Sequence, residues 1–245
     1  MSESRVALIT GAAHRLGAEI ARHLHQAGLR VLIHYRNSNA PADALAVELN
    51  TLRPDSARTL AADLLDLAAV EQLAQNARSA WGRVDVLINN ASTYYPTPIG
   101  SITSTHWDDL IGSNLRAPLF LSQALAPSLK KCGGSIVNMV DIHAEKPLPE
   151  HPIYSVAKAG LAMLTRSLAT ELGPEVRVNA VAPGIILWPE RELSDAEKSA
   201  MLERVALGRK GEPHDIAETV RFLALDASYV TGQIVAVDGG RSLTH

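Results

Sequence analysis

Cysteine is nearly absent from the chain: Cys132 is the only one among 245 residues. A single thiol cannot close an internal disulfide, which points to a reducing compartment, taken as the cytoplasm. KKCGGS (130–135) offers that thiol no neighbouring base and reads as a loop before a strand. Net charge is also lacking, at −3, so no electrostatic field recommends nucleic acid or an anionic membrane as a partner. No apolar run approaches the ~20 residues of a transmembrane helix. The opening MSESRVALITG has neither the basic head nor the cleavage site of a signal peptide. Linkers, repeats and low-complexity tracts are missing, and nine histidines show no HxxxH or paired-acid spacing, so no metal site is expected.

What is present is a regular alternation. Short β-branched runs at 5–10, 30–35, 57–63, 84–91, 135–140, 176–183 and 233–240 read as strands. Between them, 15–28, 42–52, 67–82, 115–131, 153–172 and 214–226 read as helices, with Pro118 tolerated in the first turns of its helix. Residues 185–212 form a polar, helix-forming insertion, read as a loop over the substrate. Strand–helix–strand order at this regularity implies parallel pairing through right-handed crossovers. Runs such as VDVLI lack polar alternation, as strands covered on both faces do. The expected fold class is α/β: a single-domain, Rossmann-type, doubly wound parallel sheet spanning 1–245, with helices on both faces.

TGAAHRLG (10–17) falls between the first strand and the first helix, where a dinucleotide pyrophosphate meets helix N–H groups. Arg15 and Leu16 stand at the helix start; Arg15 adds a cation beside phosphate but restricts close backbone approach. The second strand runs into HYRNS (34–38). An NAD site usually carries an acid here for the ribose 2′-OH, and none is present. His34, Arg36, Asn37 and Ser38 are taken as cofactor-binding candidates, the last three supplying a cation and two hydrogen-bonding side chains. NADPH is therefore the expected cofactor. One charge-assisted bond of roughly 1.5–3 kcal/mol to a 2′-phosphate would favour it about ten- to a hundredfold.

At the other end of the chemistry, Tyr154 and Lys158 stand four apart in IYSVAK, on one face of a helix. A phenol with pKa near ~10 is a poor acid–base catalyst at neutral pH, and a neighbouring cation is expected to lower that value. These motifs resemble the short-chain dehydrogenase/reductase family, with TGxxxGxG and YxxxK in the correct elements. The resemblance extends over the whole chain. It implies that Asp63, with Leu64 beside it, meets the adenine; that Asn90, Ala91 and Ser92 stand for NNAG; that Asn114 is the family's middle-helix asparagine; and that Pro183 and Gly184 shield the nicotinamide. It also implies that Lys158 holds the nicotinamide ribose.

Most of that family places a serine thirteen residues before the tyrosine; here the position is Asp141. A carboxylate repels a developing alkoxide, so simple ketone reduction is poorly served. A carboxyl group can relay a proton to a ring nitrogen, which suits reduction of a C=N bond. TGAAHRLG, HYRNS, NNASTYYPTP, NMVD, IYSVAK and VDGGRSLT together look like the pteridine reductases, which reduce pterins and folates with NADPH. That resemblance implies a catalytic Asp141–Tyr154–Lys158 set, Ser38 on the 2′-phosphate, Tyr94 stacked on the pterin and a homotetramer. Adjacent Tyr94 and Tyr95 cannot face the same way in an extended segment. Trp188 either lines the substrate mouth or anchors a lid on the protein. A carbonyl reductase acting on 3-oxoacyl thioesters, and an NADPH-binding protein without turnover, remain the alternatives.

Overall fold

The computed structural model describes residues 4–188 and 192–243. In chain order the elements are β1 (Val6–Ile9), α1 (Arg15–Gln26), β2 (Arg30–Tyr35), α2 (Asn39–Leu52), β3 (Ala57–Ala61), α3 (Leu67–Trp81), β4 (Val86–Asn89) and α4 (Ser104–Ile111). They continue as α5 (Ala117–Cys132), β5 (Ser135–Met139), α6 (Pro152–Leu172), β6 (Arg177–Pro183), α7 (Asp195–Leu202), α8 (Pro213–Arg221) and β7 (Ile234–Val237). All strands pair in parallel in one sheet of order β3-β2-β1-β4-β5-β6-β7. The order reverses between β1 and β4, and the crevice at the carboxyl ends of those strands is where such sheets bind ligands.

Helices cover both faces because the strands are apolar on both. On one side Ile20, Leu24, Leu45, Leu49, Ile216 and Val220 of α1, α2 and α8 pack on Ile9, Ile33 and Ile88. On the other, Leu73, Leu121, Leu125 and Leu129 of α3 and α5 pack on Leu8, Leu87 and Ile136. Each such fully buried leucine or isoleucine contributes about 1.5–3 kcal/mol of transfer free energy.

Several local departures from the sequence expectation have physical causes. α4 was not anticipated: its residues are mostly polar, and Leu110 is its one buried side chain. A wide, π-type turn over Gly112–Arg116 joins α4 to α5, so Pro118 lies inside a continuous helical path rather than at a free start. The i→i+5 pattern leaves room for its ring and asks no N–H of it. Cys132 ends α5 and is not a loop residue; Gly133, in the left-handed region at φ 60, stops the helix behind it. Burial pushes the Cys132 thiol up, away from the thiolate a nucleophile needs. The 185–212 segment contains α7, capped reciprocally by Ser194 and Glu197.

A polar seam crosses the apolar sheet. Asn89 Nδ2 donates to Asn138 Oδ1 at 2.8 Å, Asn138 Nδ2 to Thr165 Oγ1 at 2.9 Å, and the Thr165 hydroxyl to Leu161 O at 2.8 Å. All of these groups are buried, and each finds the partner that burial requires.

Candidate active site

The glycine loop is bolted to the segment after β4. Thr10 Oγ1 accepts from the Asn90 and Ala91 N–H groups at 2.9 and 3.0 Å. Asn90 Nδ2 returns bonds to Thr10 O and Gly11 O at 2.8 and 3.1 Å. Gly11 holds φ +61, and a Cβ there would meet Ala91 Cα at 3.0 Å; one on Gly17 would meet Asn90 Nδ2 at 2.7 Å. The loop therefore lies flat, with His14 and Arg15 exposed on its outer side. Arg15 takes a positive φ of 53, which glycine would adopt without strain. Leu16, in the first turn of α1, packs inward on the core.

The first turns of α1 and α2 contain no acid, and their N-cap residues, His14 and Ser38, make no side-chain cap bond. By contrast, Asp66 caps α3 and Thr103 caps α4. Uncapped N–H groups with the positive end of a helix dipole are suited to phosphate. Arg36 and Asn37 are exposed at the end of β2, beside Ser38. Arg36 lies 4.0 Å from Asp63, whose other commitment is to accept the Leu65 N–H at 3.0 Å. Leu64 is buried next to it. These groups fit a dinucleotide with a phosphorylated ribose: two uncapped helix starts, a flattened glycine loop and a cation at the second.

His34 does not face that space. It is buried, its Nδ1 accepts from the Gly11 N–H at 3.0 Å, and its Nε2 faces Ala62 O at 3.1 Å. Both ring nitrogens are thus used by backbone, which fixes the neutral Nε2–H tautomer. Burial pushes its pKa down to about 4. A direct contact to the cofactor is replaced by a pin between the glycine loop and the loop after β3.

Asn114 is likewise spent on the protein. It lies in the wide turn before α5, fully buried, donating to Thr93 O at 2.9 Å and Leu110 O at 3.0 Å while accepting from Ser92 Oγ at 2.7 Å. Its effect is to hold the 91–94 segment. Pro183 is the last residue of β6, paired with Val237. Gly184 donates to Val237 O at 3.0 Å, and any Cβ on it would stand 2.6 Å from Asp238 Cα. Trp188 is partly buried four residues further on.

Asp141 follows β5, and Tyr154 and Lys158 project from one face of α6 toward it. The Tyr154 hydroxyl donates to Asp141 Oδ2 at 2.8 Å, and Asp141 Oδ1 accepts the His143 N–H at 2.9 Å. Lys158 Nζ donates to Met139 O at 2.9 Å and lies 5.5 Å from the Tyr154 ring centroid. Burial pushes the Lys158 pKa down to about 8, with the Asp141 charge opposing the shift. The expected acidification of Tyr154 by Lys158 is reversed. Burial, then the Asp141 charge and the hydrogen bond to it, push the phenol well above its ordinary value; the Ser92 hydroxyl acts in the other direction. A buried phenol that donates to a carboxylate keeps its proton.

Tyr94 and Tyr95 diverge. Tyr94 stacks on His151, with centroids 4.8 Å apart and planes at 14°, and meets Tyr154 edge-on at 5.0 Å. Tyr95 turns to His106. Tyr94 remains 56% exposed, leaving ring area for a planar ligand beside the Tyr154 hydroxyl. Three contributors were missed from sequence: Thr10, His151 and Arg241. Burial lowers the Arg241 pKa, and its guanidinium is close enough to Asp141 and Tyr94 for their charges to be felt. Arg241 lies in VDGGRSLT, and spatial proximity gives it this role.

Comparison with known proteins places the chain in a family. A family described as enoyl-(acyl carrier protein) reductase matches residues 11–242. Pteridine reductase 1 of Leishmania tarentolae is 38% identical, covering 98% of this chain and 96% of its own. The 3-oxoacyl-(acyl-carrier-protein) reductase of Staphylococcus aureus is 36% identical over 98% and 99%, and an uncharacterized oxidoreductase of Methylorubrum extorquens 35% over 97% and 98%. The nucleotide-binding end, the Tyr154–Lys158 helix and these matches along nearly the whole chain make this protein an oxidoreductase of the short-chain dehydrogenase/reductase family.

Proposed function

We propose that the protein is an NADPH-dependent pteridine reductase that converts dihydropterins, and dihydrofolate, to their tetrahydro forms, acting in the cytoplasm as a homotetramer. The observation that carries this reading is the 2.8 Å bond from Tyr154 to Asp141, a carboxylate where reduction of a carbonyl would want a hydroxyl donor. NADPH would supply the hydride to the C=N carbon, held by the glycine loop, the starts of α1 and α2, Arg36 and Lys158. Tyr154 gives its proton to the adjacent nitrogen, and the phenol is restored by a proton entering through the Asp141 carboxyl. One C=N becomes CH–NH, two electrons and one proton coming with the hydride and one proton from the protein. Tyr94 presents its exposed face to the heterocycle.

The test is consumption of NADPH with dihydrobiopterin, dihydrofolate and an acetoacetyl thioester at equal concentration. Turnover of the pterins alone is the expected result. Turnover of the thioester alone would select the second reading, favoured by the 36% identity to the 3-oxoacyl reductase.

Arg36→Ala is expected to weaken NADPH binding about ten- to a hundredfold, the loss of one charge-assisted bond, and to leave NADH binding unchanged. Fluorescence titration of both nucleotides measures it; equal weakening of both would detach Arg36 from the 2′-phosphate.

The basic limb of the rate profile follows from Lys158. Its ammonium is present below about 8 and lost as pH rises through that value. A charged Lys158 favours the phenolate that forms when Tyr154 gives up its proton, so kcat/KM falls above about pH 8. A profile that stays flat through pH 8 would remove this titration from the rate.

A further inference from the structure

Away from the cleft, α1 and α8 pack side by side and bring together two histidines 191 residues apart in sequence. His23 Nε2 and His214 Nδ1 face each other at 2.9 Å, their rings edge-on with centroids 4.8 Å apart. Glu19 stands one turn before His23, and one donor atom from each of Glu19, His23 and His214 lies within 4.8 Å of the others. The local spacing that argued against a metal site could not register this cluster, because its members come from two helices.

The hydrogen positions follow from the neighbours. His23 Nδ1 meets only acceptors, Glu19 O at 3.1 Å and Glu19 Oε1 at 3.4 Å. It therefore carries the ring proton and leaves the Nε2 lone pair pointing at His214. His214 must then donate from Nδ1, which, in the neutral ring, turns a bare Nε2 toward Glu218 Oε2 at 3.7 Å. Two lone pairs facing one another are unfavourable. A cation bound between Nε2 of His23 and Nδ1 of His214 displaces that proton to His214 Nε2, where Glu218 accepts it. Each ring then has one nitrogen on the ion and the other directed at an acceptor, the Glu19 backbone carbonyl for His23 and the Glu218 carboxylate for His214, the arrangement that orients imidazole ligands and raises their basicity.

We propose that Glu19, His23 and His214 form a divalent transition-metal site bridging α1 and α8. Two nitrogens each about 2.05 Å from an ion stand about 2.9 Å apart at a right angle and about 3.3 Å apart at a tetrahedral one. The observed 2.9 Å matches the separation for an ion of square or octahedral preference, such as Ni²⁺ or Cu²⁺, once the two rings turn so that both lone pairs converge on it; tetrahedral Zn²⁺ also needs them to move slightly apart. Mg²⁺, which prefers oxygen, is excluded by the donors. Arg22 holds the second oxygen of Glu19 at 3.7 Å and pairs with Glu48, so the carboxylate is steadied on its outer side. The ion would tie the end of α8 that follows the 185–212 segment to the helix whose start forms the nucleotide cradle.

Untagged protein titrated calorimetrically with Ni²⁺ at neutral pH, in a buffer that does not chelate, tests this independently of any reductase activity. One ion per chain is expected, with a rise in Tm and no response to Mg²⁺. His214→Ala, at an exposed position, should weaken binding at least tenfold, and Glu19→Gln by about tenfold or more. NADPH-dependent turnover of metal-free His214→Ala should equal that of the unaltered protein. Absence of saturable binding, equal binding by His214→Ala, or several weak ions spread over other histidines would each overturn the proposal.

Discussion

Tyr154→Phe is expected to lower turnover of a dihydropterin by about 10²–10⁴-fold, the usual loss on removing a positioned general acid, with NADPH affinity unchanged. The Tyr154 phenol bonds to Asp141 while its ring meets that of Tyr94 edge-on, and no substitute for its proton is offered by phenylalanine. The same change takes from Asp141 the hydroxyl donor of Tyr154 and leaves it accepting from the His143 N–H, and a loss of stability of about 1–3 kcal/mol accompanies it. Stopped-flow turnover, nucleotide fluorescence and thermal unfolding separate these effects. Turnover within a fewfold of the unaltered protein would assign the proton to another group.

Asp141→Ser discriminates between the two chemistries. Loss of the carboxylate removes the route by which the phenol regains its proton, and pterin reduction should fall by about 10²-fold or more. It also removes the charge and the acceptor that hold the Tyr154 pKa up. The tyrosine then becomes easier to ionise, and the serine hydroxyl can donate to a substrate carbonyl. The ratio of dihydrobiopterin to acetoacetyl thioester turnover should therefore invert, with the pH profile displaced to lower values. Unchanged pterin turnover would take Asp141 out of the mechanism.

The sheet was legible because its strands are short, β-branched and apolar on both sides, a pattern that only coverage by helices on two faces satisfies. α6 was read to within one residue at its start for a related reason, since its small and apolar positions repeat through five turns. α4 was not legible because one buried leucine gives no periodicity. Nor was the true path of Pro118, which depends on a wide turn that forms in tertiary context. At the site, residue types could be read but not their electrostatic sign. Tyr154 and Lys158 stand four apart in any helix; that the lysine bonds to Met139 O while the phenol turns to Asp141 is set by how α6 lies on β5. His34 looked like a nucleotide contact because HYRNS is contiguous, whereas its partners, Gly11 and Ala62, lie on two other strand ends.

The seam of buried amides bears on how the chain selects one pairing of its strands. β4 and β5 are otherwise interchangeable apolar ribbons, and a slip of two residues would keep every side chain on its own face. It would also set the Asn89 amide against an aliphatic neighbour and strand Asn138, at about 1–3 kcal/mol for each unpartnered group. Asn89 and Asn138 are register partners, so the correct alignment is the one that leaves no amide bare. Thr165 extends that choice to α6. It stands seven residues after Lys158, two helical turns or about 10 Å along the same face. The height at which the catalytic pair rides over β5 is thus indexed by a hydroxyl that never approaches the substrate.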